Sequence, residues 1–470
     1  MQLNRQMAIN LDYVDEEVKY FNIINNKYDF NDAINVLDNI DWDFKNFNTQ
    51  YLTHKFHSYP ARFIPQIPLT FIKLFTKEKD TVLDPFCGCG TTMVESFYNN
   101  RNSIGNDFNP LAVLISKVKT TKVENEKLDY LLSKFPKSLD NIKVDKNKVQ
   151  ETLNNLPKRK ISGELFNYEI VYKLISIKQI LEQLKEEGNM NLYDIGALAL
   201  SSTVWSYVET KILGDIYNSF IMKLHSIIKE LKKINKLINY NPKVEIINGD
   251  SRMLKVDSES IDLIVTSPPY VNALDYYRTH MYNMFWLNID IDNFKKHEIG
   301  SHSHFVSNRF RLLSEYLGDM LRSLIEMNRV LKKGKICTIV IGNSSLEYEL
   351  IESYKYFEDM ARFVGFLPLR KYFRNIDKTK KYTNADVGKI DDEVILVLKK
   401  IDNVSVLSTD DLFISEVVKN EMNKFKAQIE KIQGTGIKGW KKPTKERLLK
   451  NANKIEEAIK LIPKDIKFKE

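Results

Sequence analysis

The sequence predicts an α/β fold built on an open, doubly wound sheet of about seven strands, with an antiparallel pair last. Three observations predict it. Short apolar runs end in acidic residues at Asp84, Asp107 and Asp250. A glycine-rich turn joins the first of these runs to a helical pattern, so that strand, turn and helix follow within twenty residues. Two late runs, 366–372 and 393–398, are spaced to form a closing hairpin.

Residues 1–50 form a polar, partly helical lead-in, acidic with 4 Lys/Arg against 9 Asp/Glu. The stretch YLTHKFHSYPARFIPQIPLTFIKLF follows, and its second half reads as a helix opening near Pro65 or Pro68, because proline is tolerated in a first turn. Strands are expected at 81–83 and 103–105, with helices from Thr91 and Pro110. These make the first half of the sheet unit, 51–120. Residues 121–240 are rich in Lys, Glu, Leu and Ile, with helical spacing at Ile175, Ile177, Ile180, Leu181 and Leu184, and read as a helical insertion. The sheet resumes in 241–400, with strands at 244–247, 261–265 and 336–341 and a helix around 312–330. Residues 401–470 form a basic helical region; its last forty residues hold 12 Lys/Arg against 5 Asp/Glu. A basic end on a chain of net charge +8 suits a polyanion partner.

Cys87, Cys89 and Cys337 make no disulfide framework, and Cys-x-Cys without nearby His or Cys is a poor zinc site, so no metal is expected. There is no signal-peptide pattern and no apolar stretch of membrane-spanning length, which places the protein in the cytoplasm.

Four constellations carry chemistry. The first is Asp84-Pro85-Phe86-Cys87-Gly88-Cys89-Gly90-Thr91-Thr92. Its glycines let a ligand approach the backbone, and the helix N-terminus receives an anionic group. It lacks a phosphate-loop ending and the dinucleotide spacing. A carboxylate-bearing ligand such as the methionine moiety of S-adenosylmethionine fits it, with Asp84 meeting the ammonium directly or through water. The second is Asp107 with Phe108, placed to bind a ribose diol. The third is Asp250 with Ser251, placed to accept from an adenine amino group. Three carboxylates at successive strand ends favour one shared cleft, although each alone reads equally as a cap or turn residue. The fourth is Ser267-Pro268-Pro269-Tyr270, which ends a buried strand. Two prolines give a rigid loop without amide donors. The Ser267 hydroxyl and Pro268 carbonyl then accept from an exocyclic amine, making its nitrogen more nucleophilic. Tyr270 can stack on a base flipped from the duplex.

With these motifs in place the chain resembles the bacterial DNA amino-methyltransferases that make N4-methylcytosine or N6-methyladenine. The resemblance covers roughly residues 51–125 and 240–400. It implies the class I S-adenosylmethionine-dependent methyltransferase fold, with S-adenosylmethionine as cofactor and double-stranded DNA as partner. It also implies that His57-Ser58-Tyr59-Pro60-Ala61-Arg62-Phe63 packs around the methionine end of the cofactor, which makes Tyr59, Pro60, Ala61 and Phe63 binding residues. Ser267 at the head of the catalytic loop favours cytosine N4; adenine N6 is the alternative. An RNA guanine-amino methyltransferase and a non-catalytic DNA-binding protein on the same scaffold are the competing readings. No nuclease constellation is present, so any restriction endonuclease is a separate chain.

DNA contact is expected from Tyr277 and Arg278 after the catalytic loop, from the insertion, and from the loop carrying Lys438, Lys441 and Lys442. On that reading, removal of 431–470 weakens DNA binding and leaves cofactor binding intact.

Overall fold

The computed structural model describes residues 14–158, 165–210, 214–238, 240–301, 305–375, 392–403, 410–431 and 444–465. Its centre is a seven-stranded sheet. The strands are β1 (Thr81–Asp84), β2 (Asn102–Asp107), β3 (Val244–Asn248), β4 (Ile261–Thr266), β5 (Leu331–Gly342), β8 (Phe366–Asn375) and β9 (Asp392–Lys400); a separate hairpin, β6 (Ser344–Leu346) and β7 (Glu349–Ile351), follows β5. The order across the sheet is β3-β2-β1-β4-β5-β9-β8. β3, β2, β1, β4 and β5 pair in parallel, and β9 is antiparallel to both β5 and β8. This is the class I methyltransferase sheet that the sequence predicts. All seven expected runs are strands of it.

The two-residue period of the strands sorts their side chains onto two faces. Val82, Leu263, Val265, Val340 and Ile395 face a layer containing Tyr20, Trp42, Phe44 and Phe71. Leu83, Ile264, Ile339, Ile341 and Leu396 face the opposite layer, dominated by the helix Arg309–Val330. The acidic lead-in is therefore part of the sheet's cover. The Tyr20 hydroxyl donates to the Gln66 carbonyl at 3.0 Å, and Trp42 stacks on Phe71 and on Tyr372 of the edge strand β8.

The insertion between β2 and β3 is helical, as its spacing predicts. Its helices span Asn125–Leu139, Lys146–Asn155, Tyr168–Glu186, Met190–Thr210 and Ile216–Leu237. Their apolar sides close one core, which runs on into Leu111 and Ile115 of the helix Pro110–Thr120.

The C-terminal region is helical, as expected, and it is packed against the main core. The helices Asp411–Lys431 and Lys445–Asp465 are an outer layer of the main core. Met422, Phe425, Ile455 and Ile462 belong to the same buried cluster as Leu313 and Leu324 of the Arg309–Val330 helix. Arg311 grips Asp465 with two hydrogen bonds of 2.8 Å. Removing 431–470 would take Ile455, Ala458 and Ile462 out of this core. Lysines give the region its charge, but its apolar residues recur at helical spacing and fix its place. The loop with Lys438, Lys441 and Lys442 lies outside the described residues. Among the described residues no helix is long and apolar enough to cross a membrane.

Ile455→Ala should cost ~2–5 kcal/mol, the usual range for emptying a fully buried site of this size. Urea denaturation reads this directly. A loss under ~1 kcal/mol, as for a surface position, would mean the helix is not core.

Candidate active site

The carboxyl ends of β1, β2, β3 and β4 converge on one cleft of about 840 Å3, counted with its open mouth. Its floor is the turn after β1. Gly88 and Gly90 both have positive φ, at 49° and 79°. At Gly90 a Cβ would come 2.7 Å from the Ser116 hydroxyl, so only glycine lets the helix Pro110–Thr120 pack this close. Neighbours pin the turn at two of its carbonyls. Ser116 donates to Gly88 O at 2.8 Å, and the fully buried Lys119 ammonium donates to Cys89 O at 2.7 Å.

Asp84 does not line this cleft. It is fully buried beneath the turn. Its Oδ2 accepts from the Thr92 hydroxyl at 2.7 Å, and its Oδ1 from the Thr266 hydroxyl at 2.6 Å and the Phe86 N–H at 3.2 Å. Burial pushes its carboxyl up to about 7. Its partners among the described residues are thus internal ones. Thr92 and Gly90 likewise support the turn from within, whereas Pro85, Phe86, Gly88 and Thr91 border the cleft.

Asp107 and Asp250 both border the cleft, as do Phe108 and Ser251. Asp107 accepts from the Gly88 and Asn109 N–H groups, each at 2.8 Å, and burial raises its carboxyl to about 6. Each oxygen keeps a second lone pair for a diol. Asp250 is held by Arg252, which bridges it at 2.7 Å to Asp319, also at 2.7 Å. No local pattern signals this bridge, because Asp319 lies on a helix far along the chain.

Ser267 and Pro269 reach the same cleft from the end of β4. Tyr316 donates to the Pro269 carbonyl at 2.9 Å, while among the described residues no donor reaches the Pro268 carbonyl. Pro268 is buried and, like Tyr270, is not on the cleft wall. The Tyr270 ring packs against Gly342, where a Cβ would come 2.4 Å from its Cε2. Its hydroxyl donates to Glu393 at 2.9 Å, and Glu393 pairs with Arg374. The tyrosine is thus anchored at its tip with its ring half-buried.

The opposite wall comes from residues 51–63. Tyr59, Ala61, Arg62 and Phe63 border the cleft, but Pro60 does not. The Tyr59 ring lies 3.6 Å from the position of a Gly88 Cβ and stacks on Tyr276 and His280. His280 is a fully buried imidazole. The wall is tied to the helix Thr91–Tyr98 by Glu95, whose Oε1 is 2.6 Å from the Tyr51 hydroxyl and 2.7 Å from His54 Nε2. It is tied to the insertion by His57, 3.0 Å from the Ser201 hydroxyl, which in turn accepts from Asn283 at 2.8 Å.

Apart from Tyr276, the roof was not foreseen. Tyr276, Phe294, His297, Glu298 and Ile299 complete the cleft. Residues 294–299 carry no sequence motif, and only folding brings them over the glycine turn. Tyr277, expected at DNA, is 6% exposed and packs with Met284 and Phe294. Arg278 is exposed and 3.8 Å from Asp275. Tyr382, His302 and His304 lie outside the described residues. Among the described residues no group of three or more His, Cys, Asp or Glu is arranged for a metal ion.

Burial pushes Glu95 up to about 8, so the folded chain keeps a proton there that the unfolded chain has lost by pH ~6.5. Stability from this group is present at low pH and is lost as pH rises towards 8. Burial holds His54 and His57 below their ordinary range, so they contribute only near and below pH ~6.5. Between pH ~6.5 and 8 the wild type should lose up to ~2 kcal/mol relative to Glu95→Gln, measured by paired denaturation curves. Parallel pH profiles would reject a protonated Glu95.

A family model for N6/N4 DNA methylases matches residues 5–118 and 261–457, leaving out the insertion and β3. Curated relatives include the Type II methyltransferase M.MvaI of Kocuria varians, 28% identical over 282 residues, or 53% of this chain. The chain spans 61% of that protein's length. M.MjaII of Methanocaldococcus jannaschii is 25% identical over 398 residues, covering 64% of this chain and 74% of that one. Among solved structures, a protein of Thermus thermophilus described as a DNA modification methylase, complexed with S-adenosyl-L-methionine, is 18% identical over 33% of this chain and 53% of that one, with a TM-score of 0.22. With the sheet order and the glycine turn in place, and with the family model covering both halves of the sheet, the chain belongs to the N6/N4 DNA methylase family.

Proposed function

We propose that this chain is an S-adenosylmethionine-dependent DNA methyltransferase that makes N4-methylcytosine on a base flipped out of the duplex. One observation carries the reading: Ser267 and Pro269 border the same cleft as Gly88, Asp107 and Asp250. An acceptor loop and a nucleotide-type site thus share one space. The cofactor, when bound, supplies a methyl group on a sulfonium. The strand-end carboxylates suit its ribose and adenine, and the aromatic wall suits its apolar length. The Ser267 hydroxyl and Pro268 carbonyl accept from the two hydrogens of the target amine, which localises the lone pair on nitrogen. The amine's surplus proton leaves to solvent after transfer, so no general base is needed. Ser267 is a neutral acceptor, which favours cytosine over adenine on the family pattern. The relatives' description as Type II methyltransferases supports a restriction–modification setting, with the nuclease on another chain. Arg278 and the lysines 438, 441 and 442 are the proposed phosphate contacts.

Incubation with labelled S-adenosylmethionine and duplex DNA, followed by nucleoside mass spectrometry, should yield N4-methylcytosine. N6-methyladenine would overturn the base assignment, and label in RNA alone would overturn the substrate class. Ser267→Ala should lower kcat by about 10- to 100-fold, the worth of one well-placed acceptor, with cofactor affinity nearly unchanged. Equal losses in both would assign the loop a structural role. Gly342→Ala should push the Tyr270 ring out of place and lower kcat while leaving S-adenosylhomocysteine affinity intact.

A further inference from the structure

The cleft raises a question of charge. S-adenosylmethionine carries an ammonium at its amino-acid end, and an ammonium held between aromatic walls needs a counter-charge. Asp84 is fully buried beneath the turn and does not border the cleft. Among the described residues the carboxylates bordering the cleft are Asp107, Asp250 and Glu298. Asp250 is neutralised by Arg252. Asp107 sits at the ribose position and holds the turn through Gly88. Glu298 is 5% exposed; its Oε1 accepts from the Tyr276 N–H at 2.5 Å, and its Oε2 is buried with no hydrogen-bond partner among the described residues. The nearby Ser301 hydroxyl donates to Asp275 at 3.0 Å. Through Tyr276, which stacks on Tyr59, Glu298 hangs at the wall assigned to the methionine end.

We propose that Glu298 receives the α-ammonium of the cofactor, through the oxygen that has no hydrogen-bond partner among the described residues. The inference rests on the cofactor reading above. It assigns a binding residue in a segment that the sequence motifs do not reach.

A proton should move with the ligand. Burial, with Asp275 as the nearby like charge, raises the carboxyl to about 8, and the Tyr276 and Tyr277 backbone and Ser301 only partly offset this. The other charged or titratable groups on the cleft are Asp107, Asp250, His297, Arg62, Tyr59, Tyr276, Cys87 and Cys89; Arg278 lies 3.8 Å from Asp275. An incoming ammonium favours the ionised carboxylate, so binding at pH 7 should release about one proton, and affinity should rise with pH up to about 8.

The test is titration calorimetry of the full chain with S-adenosylhomocysteine, which has the ammonium, and with 5′-methylthioadenosine, which lacks the amino-acid end. Runs in two buffers of different ionisation enthalpy give the proton count. Glu298→Gln keeps the acceptor for Tyr276. It should weaken S-adenosylhomocysteine by about 10- to 100-fold, as for loss of a charge-assisted hydrogen bond, abolish proton release and leave 5′-methylthioadenosine within about twofold. Unchanged S-adenosylhomocysteine affinity overturns the proposal, as does equal weakening of both ligands, which would mark Glu298 as a support for the roof. Should the variant not fold, the wild type still decides: binding 5′-methylthioadenosine as tightly as S-adenosylhomocysteine rejects the role. A wild type that binds neither ligand removes the cofactor reading itself, and this inference with it.

Discussion

One buried carboxyl holds the two halves of the site together. Asp84 ends β1, and its two oxygens take hydroxyls from Thr92 on the helix after the glycine turn and from Thr266 at the end of β4. Thr92 also donates to the Val265 carbonyl at 3.2 Å. Ser267 is the next residue after Thr266. The distance between the floor of the cleft and the acceptor loop is thus set by short hydrogen bonds in a fully buried place, where bending them is costly. Proximity of two groups is useful only when it is fixed, and this junction fixes it within the fold itself.

The remaining walls are fastened to that junction by polar contacts of the same kind. Glu95 ties the aromatic wall to the helix that carries Thr92. His57, Ser201 and Asn283 join the wall, the insertion and the roof in one chain of hydrogen bonds. The insertion is therefore not a loosely attached module. A shift of its helix Met190–Thr210 is felt at His57, two residues from Tyr59.

Much of the fold was legible in the sequence. Strand ends were marked by Asp-Pro, Gly-Asp and Ser-Pro-Pro, and the helical insertion by its period, because these signals are local. What failed was non-local. The partners of Asp84 are 8 and 182 residues away, and only with them in view is it seen as an internal tie. Lys-rich composition drew attention to the outer face of the last helix and hid its buried stripe at Ile455, Ala458 and Ile462. Glu298 had no local signature, since a carboxylate in a polar stretch is ordinary until the Tyr276 backbone and an apolar roof close around it. The residues chosen from the glycine turn and the strand ends mostly reach the cleft. Tyr277, chosen for its nearness in sequence to the loop, turns inward.

The pairing of β2 with β3 has a consequence for how the molecule is made. Asn102 and Lys243 meet at the start of this pair although 141 residues separate them. At ordinary rates of synthesis, ~5–20 residues per second, the outer edge of β2 waits about 10–30 s for its partner. During that time it presents unpaired backbone groups. The helices between must fold first if β3 is to arrive in register, and only then does Asp250 take its place. A nascent chain with a defective insertion would thus lack one end of the cleft and keep an open sheet edge. That edge is the kind of surface that chaperones and proteases read.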